Sequence, residues 1–214
     1  MGELMTEPRA VTAPPAADAA RDEHDVLRAS VYSLIAALLG RIPDAVTLAL
    51  LARIPQDAEE AGSGMAAAWR MLAQAGERAD RDALDDEYHA LFIGIGRGEL
   101  VPYGSWYLTG FLMEQPLALL RRDLARLGFE RQPDVREPED HAAALCETMA
   151  LLIGGDEAAG LDQQREFFER HLAPWMGRFF RDMQGAESAR FYRAVGYFGE
   201  QFMTIEQQYL GMAV

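Results

Sequence analysis

Apolar residues recur at helical spacing along most of this chain. Leu27, Val31, Leu34 and Leu38 are separated by steps of four, three and four, which predicts one face of a helix. Gly40 and Pro43 end it. A short helix is predicted over 44–53 and another from Met65 to Ala75. Leu84, Tyr88, Leu91, Phe92 and Ile95 form the next stripe. From Gly94 to Gly104 the glycines and Pro102 predict a loop. Ser105 is placed to cap a helix that runs to Leu127, with Leu117, Leu120, Leu124 and Leu127 on its apolar side. Pro116 lies inside that span and predicts a kink or a division. After a second loop over 128–136, Glu137-Pro138-Glu139-Asp140 predicts a helix start. Proline suits the first helical position, and acidic side chains favour the positive end of the dipole. Leu145, Met149 and Leu152 carry that helix to Gly154. Phe168, Leu172, Trp175 and Phe179 mark a further helical region divided at Pro174. Phe191, Val195, Phe198, Phe202, Ile205 and Tyr209 mark a long last one.

No segment alternates in the manner of a strand, and no internal repeat is visible. The expected fold is therefore all-α, a compact helical bundle whose apolar stripes form the core. Residues 1–20, rich in proline, alanine and small polar side chains, are expected to be a disordered lead-in. Residues 21–214 are expected to form a single domain, with loops near 94–104 and 128–137.

Charge narrows the classes of partner. There are 34 acidic residues against 20 basic ones, all arginine, for a net charge of −14. Phosphate binding needs a basic footprint, so nucleic acid is disfavoured, as is docking on an anionic membrane surface. A cationic partner is favoured by complementarity, although the same charge also serves solubility alone. The one cysteine, Cys146, allows no intrachain disulfide and fits a reducing compartment. No run is long and apolar enough to span a membrane, and the N-terminus lacks the basic and apolar regions of a secretory signal. Cytoplasmic location without stable membrane insertion is the expectation.

Motifs for catalysis are weak. None of His24, His89, His141 and His171 has a glutamate three residues before it, as a di-iron bundle requires. There is no His-Glu-x-x-His, and one cysteine builds no zinc site, so no metal or cofactor is expected. Ser105, in Tyr-Gly-Ser-Trp-Tyr, is not a nucleophile elbow. Cys146 reads as a buried, inert thiol. Gly94-x-Gly96-x-Gly98 follows a helix rather than a strand, which is the wrong setting for a dinucleotide fingerprint. One cluster remains. Asp140 and His141 sit at a predicted helix start, with Glu137 and His141 four apart. Three roles fit it: an acid–base pair, a cap tying the preceding loop to the bundle, or carboxylates that receive guanidinium groups.

The order of motifs is informative beyond any one of them. Tyr88-x-x-Leu91-Phe92-Ile93-Gly94 precedes the glycine-rich loop and Pro102-Tyr103-Gly104-Ser105-x-Tyr107. Glu137-Pro138-Glu139-Asp140-His141 follows, then His171-Leu172-x-Pro174-Trp175-x-x-x-Phe179 and Phe191-Tyr192. This series resembles the TorD/DmsD family, related to the NarJ-type chaperones, over about residues 84–202. The resemblance implies an all-helical cytoplasmic chaperone without catalytic activity or cofactor. It implies binding to the twin-arginine signal peptide and apo form of a molybdenum-cofactor oxidoreductase, delaying export until the cofactor is inserted. Family members are monomers or domain-swapped dimers. By analogy the peptide surface involves Leu91, Phe92, Tyr103, Gly104, Ser105, Tyr107, Glu137, Pro138, Asp140 and His141. Tyr103 stands where some relatives carry tryptophan. The physical requirements agree: two guanidiniums beside a short apolar segment call for carboxylates next to an apolar groove. The rival readings are a helical scaffold without a groove and a nucleotide-binding chaperone using the 94–98 loop.

Overall fold

A computed structural model describes residues 16–54, 64–94, 97–130, 137–155 and 158–212. Among them are ten α-helices: α1 (Ala16–Gly40), α2 (Ala45–Ala52), α3 (Gly64–Arg78), α4 (Arg81–Tyr88), α5 (Gly104–Thr109), α6 (Gln115–Arg126), α7 (Ala142–Gly154), α8 (Leu161–Phe167), α9 (Met176–Gly185) and α10 (Phe191–Met212). α4 and α8 each run on into a π-helical turn, His89–Ile93 and Phe168–Leu172. The one β feature among the described residues is an isolated antiparallel bridge between Tyr103 and His141. The all-α bundle expected from the apolar spacing is observed.

The bundle forms because several helices carry an apolar face and those faces meet. α1 lies along α7, and α10 packs against both α3 and α9. Tyr32, Ile35 and Leu38 of α1 and Leu145, Met149 and Leu152 of α7 are all buried in the same core. Phe179 and Phe180 of α9 and Tyr192, Val195 and Phe198 of α10 are fully buried. Side chains of this size dominate the hydrophobic contribution, at about 1.5–3 kcal/mol each.

Local chemistry sets the element ends. Asp44 and Asp80 cap α2 and α4 through their carboxylates, accepting from Thr47 N (2.8 Å) and Ala83 N (3.0 Å). Pro116 lies in the first turn of α6, where its missing N–H costs nothing, so the predicted long helix is divided into α5 and α6. The division near Pro174 is likewise present, as a turn over 173–175.

Several expectations are corrected. Leu27 and Ile205 are 64% and 42% exposed rather than core, because Arg28 and Glu206 take the inward positions beside them. α1 begins at Ala16 and so includes the last residues assigned to the lead-in; residues 1–15 lie outside the described residues, as does Ile95. Glu137 to Asp140 do not form a first helical turn. α7 starts at Ala142, and the i,i+4 relation between Glu137 and His141 is not made through a helix. Ser105 is not the cap of α5; it lies within the helix, whose N-cap position is Tyr103.

Candidate functional site

The loop before α5 and the loop before α7 are clipped together. Gly104 N donates to Asp140 O (2.9 Å) and Ala142 N donates to Pro102 O (2.8 Å). The Tyr103 and His141 rings meet edge to face at 5.1 Å. Tyr103 also donates its hydroxyl to Glu137 Oε1. The clip explains both corrections at the helix starts. Asp140, 3% exposed, caps α5 from outside by accepting from Ser105 N through Oδ2 (2.7 Å). His141 caps α7, its Nδ1 accepting from Ala143 N (3.1 Å).

A ring nitrogen that accepts cannot carry the proton, so His141 is held neutral with its hydrogen on Nε2. Burial lowers its pKa from 6.5 to about 4, against the opposing pull of Asp140. The depressed value favours the fold only above the unfolded-chain pKa. As pH falls from about 6.5 towards 4, the unfolded chain gains a proton that the folded ring refuses. Stability from this group is therefore full above 6.5 and lost on acidification, on the order of 3 kcal/mol in all. His141→Asn keeps a capping oxygen without a proton to gain. In urea titrations its stability should fall less than the native protein's between pH 6.5 and 4. Parallel curves would remove this role. His171, lowered in pKa by burial, is unchanged in that comparison.

Behind the clip, α5, α6, α7 and the Phe168–Leu172 turn line a chamber of about 210 Å³ that is open to solvent on one side. Its walls are apolar: Leu108, Pro116, Leu119, Leu120, Leu145 and Trp175. Gly104 packs closely there, since a Cβ on it would stand 3.1 Å from the Trp175 indole nitrogen and would press the ring back by a few tenths of an ångström. That indole N–H donates to His171 O (2.7 Å). His171 and Arg170 also line the chamber, and both are held by Asp123 Oδ2, at 2.9 and 3.3 Å. The remaining polar group is Asp140. Its Oδ1 is buried and, among the described residues, has no hydrogen-bond partner. A buried carboxylate oxygen without a donor is costly to keep, and a cationic donor arriving from a ligand would relieve that cost. The volume is below that of an ordinary small-molecule pocket and suits one side chain.

The sequence-predicted residues do not form one surface. Tyr103, Glu137, Pro138 and His141 sit on the clip and are partly exposed or exposed. Gly104, Ser105 and Asp140 are buried between clip and chamber. Leu91 is fully buried core, and Phe92 packs on Tyr88 and Tyr192 at ring distances of 5.0 and 5.1 Å. Tyr107 turns the other way, stacking on Trp175 at 5.4 Å and lining a polar cleft of about 760 Å³ with Arg97, Trp106 and Arg178. Asp140 and His141 share no hydrogen bond, so the acid–base pair lacks its defining contact. Sequence reasoning missed Leu108, Pro116, Leu119 and Trp175 as chamber walls. Apolar spacing marks such residues as core but does not say that a space opens between them.

The nitrate reductase delta subunit family matches residues 58–181, more than half of the chain and the whole of the chamber. The chain belongs to this family. Relatives named chaperone protein TorD include one from Vibrio atlanticus (strain LGP32), 25% identical over 137 residues that cover 59% of this chain and 64% of that one. Another, from Psychrobacter sp. (strain PRwf-1), is 32% identical over 101 residues, covering 44% and 46%. The chain thus matches about half to two thirds of the length of these relatives. A crystal structure of an Archaeoglobus fulgidus protein assigned to redox enzyme maturation covers 94% of this chain and 99% of its own, with a TM-score of 0.50 and 18% identity. That likeness shows a shared fold. The resemblance to the TorD-type chaperones drawn from motif order therefore holds for this delta-subunit-family chain. Among its described residues, no helix is long and apolar enough to cross a membrane.

Proposed function

We propose that this member of the nitrate reductase delta subunit family is a cytoplasmic maturation chaperone without catalytic activity. It binds the twin-arginine signal peptide of an apo molybdoenzyme and delays export until the cofactor is inserted. The observation that carries this reading is the buried Oδ1 of Asp140, unpartnered among the described residues, in a residue that lines the chamber. A guanidinium is the natural partner: it is cationic, planar and carries several donors. The net charge of −14 steers such a peptide towards the protein. The family and the names of its relatives support the chaperone reading. Against catalysis stands the use of both candidate groups as caps, Asp140 for α5 and His141 for α7.

The test is calorimetric titration with synthetic signal peptides, each with its arginine pair intact or changed to glutamine. Asp140→Asn preserves the acceptor for Ser105 N, so the fold should survive. Loss of a charge-assisted bond should weaken binding roughly 10- to 100-fold. The glutamine peptides should bind the native protein correspondingly less well, and added salt should weaken the arginine peptides. A folded Asp140→Asn protein that binds as the native one does would end the carboxylate-receptor reading. An unfolded one would assign Asp140 to structure alone.

A further inference from the structure

Next to the chamber, the loop joining α5 to α6 turns large apolar side chains outward. Phe111, Leu112 and Met113 are 67%, 48% and 72% exposed, flanked by Leu108 at 43% and Leu119 at 37%. Consecutive exposed side chains of this size form a patch that soluble surfaces rarely carry without use.

The loop is built rather than slack. Thr109 Oγ1 donates to Ser105 O (2.8 Å) and accepts from Phe111 N (3.2 Å). Met113 N donates to Ser105 Oγ (3.2 Å). Gly110 takes φ +82, which glycine permits, but Met113 takes φ +60, which a side chain resists. Strain held by specific hydrogen bonds at an exposed apolar residue points to use of the conformation. Ser105 is the shared anchor. Its N–H donates to Asp140 Oδ2 and its hydroxyl accepts from Met113 N. One buried residue therefore holds both the carboxylate, through its N–H, and the apolar loop, through its hydroxyl.

We propose that Leu108 at the end of α5 and the loop residues Phe111 to Met113 form an apolar platform for the uncharged residues adjoining the arginine that enters the Asp140 chamber. This rests on the proposed peptide-binding function and names where the apolar part of that ligand lies. The occupant is fixed by charge complementarity: Asp140 receives a cation, and Leu108, which lines the chamber, is also part of the exposed patch. A segment that satisfies both carries apolar residues within a short reach of an arginine. Ser105 is a positioning residue, holding platform and carboxylate in register.

The experiment pairs two synthetic peptides with two protein variants. One peptide has an arginine pair followed by a leucine- and alanine-rich stretch; in the other that stretch is serine and glycine. Phe111→Ser combined with Met113→Gly removes two exposed side chains and relaxes the positive φ, so the fold should be retained. This variant should bind the apolar peptide roughly tenfold or more weakly than the native protein does, while binding of the polar peptide stays unchanged. Asp140→Asn should weaken both peptides. Native-like binding of the apolar peptide by the platform variant, with Asp140→Asn still weakened, overturns the platform and leaves the function standing. Unchanged binding by Asp140→Asn, or no binding of the apolar peptide by native protein, overturns the function itself. Sedimentation covers the other occupant. A native dimer that the platform variant dissolves, with peptide binding unchanged, would assign the patch to a second copy of the chain.

Discussion

Arg28→Ala is expected to destabilise the protein by about 3–5 kcal/mol, a large share of the 5–15 kcal/mol typical of a folded domain. Arg28 and Glu206 are 8% and 1% exposed. Their contact is a two-pronged fork, Arg28 Nε to Glu206 Oε1 at 2.7 Å and Nη2 to Oε2 at 2.9 Å. Nη1 reaches Asp25 at 2.8 Å and Gln164 at 3.0 Å, and Tyr32 donates to Glu206 Oε2 at 3.1 Å. The network joins α1, α8 and α10, while the guanidinium lies 4.5 Å over the Tyr209 ring. Removing the arginine leaves Glu206 buried with a single hydroxyl for its charge, and that uncompensated charge sets the size of the loss. The double variant Arg28→Met/Glu206→Met removes both charges and should lie closer to native than Arg28→Ala does. Urea unfolding of native, single and double variants checks the ordering. A cost below about 1 kcal/mol for Arg28→Ala would mean that water reaches Glu206 and the pair behaves as a surface one.

Glu87→Ala should be the next most damaging change, at about 2–4 kcal/mol. Glu87 is on α4, yet it caps α10. Its Oε1 accepts from Arg190 N (2.7 Å) and Tyr192 N (2.8 Å), and its Oε2 from Phe191 N (3.1 Å). These are the unpaired donors at the start of a 22-residue helix. A buried carboxylate there satisfies three N–H groups and opposes the positive end of the dipole. Alanine leaves the three donors without partners. Glu87→Gln keeps an acceptor for two of them and should cost less than half as much. Thermal melts of the two variants separate the contributions; equal losses would mean that charge and packing, not the hydrogen bonds, set the value.

Both networks bear on the site through the framework that holds it. α10 packs on α9, and α9 begins just after Trp175, which forms a wall of the chamber. The clip between the two loops depends on their helices being in place, since the backbone bonds, the Tyr103–His141 ring contact and the bonds to Glu137 and Asp140 all join residues at or just before the starts of α5 and α7.

Helical spacing alone determined the all-α class, most of the elements and most of the buried residues, because a 3.6-residue period marks the inward face wherever neighbours supply a core. Proline chemistry located the break at Pro116 correctly, since a ring without an N–H belongs at a helix start. Motif order pointed to the family. What spacing did not determine was each partnership between distant segments. Leu27 satisfies the apolar period as well as Leu38 does, but only the bundle puts Arg28 opposite Glu206 and leaves Leu27 in solvent. Ser105 has the chemistry of a cap, yet Asp140, 35 positions away, does that work and frees the serine hydroxyl to hold Met113. Glu137 to Asp140 have the chemistry of a helix start, but bonds to the neighbouring loop hold Asp140 and His141 in a bridge and move the start to Ala142. The sequence named Asp140 as a candidate. Its burial, its unmatched oxygen and the apolar chamber beside it arise where α5, α6 and α7 meet, because desolvation depends on what surrounds a group and not on its neighbours in the chain.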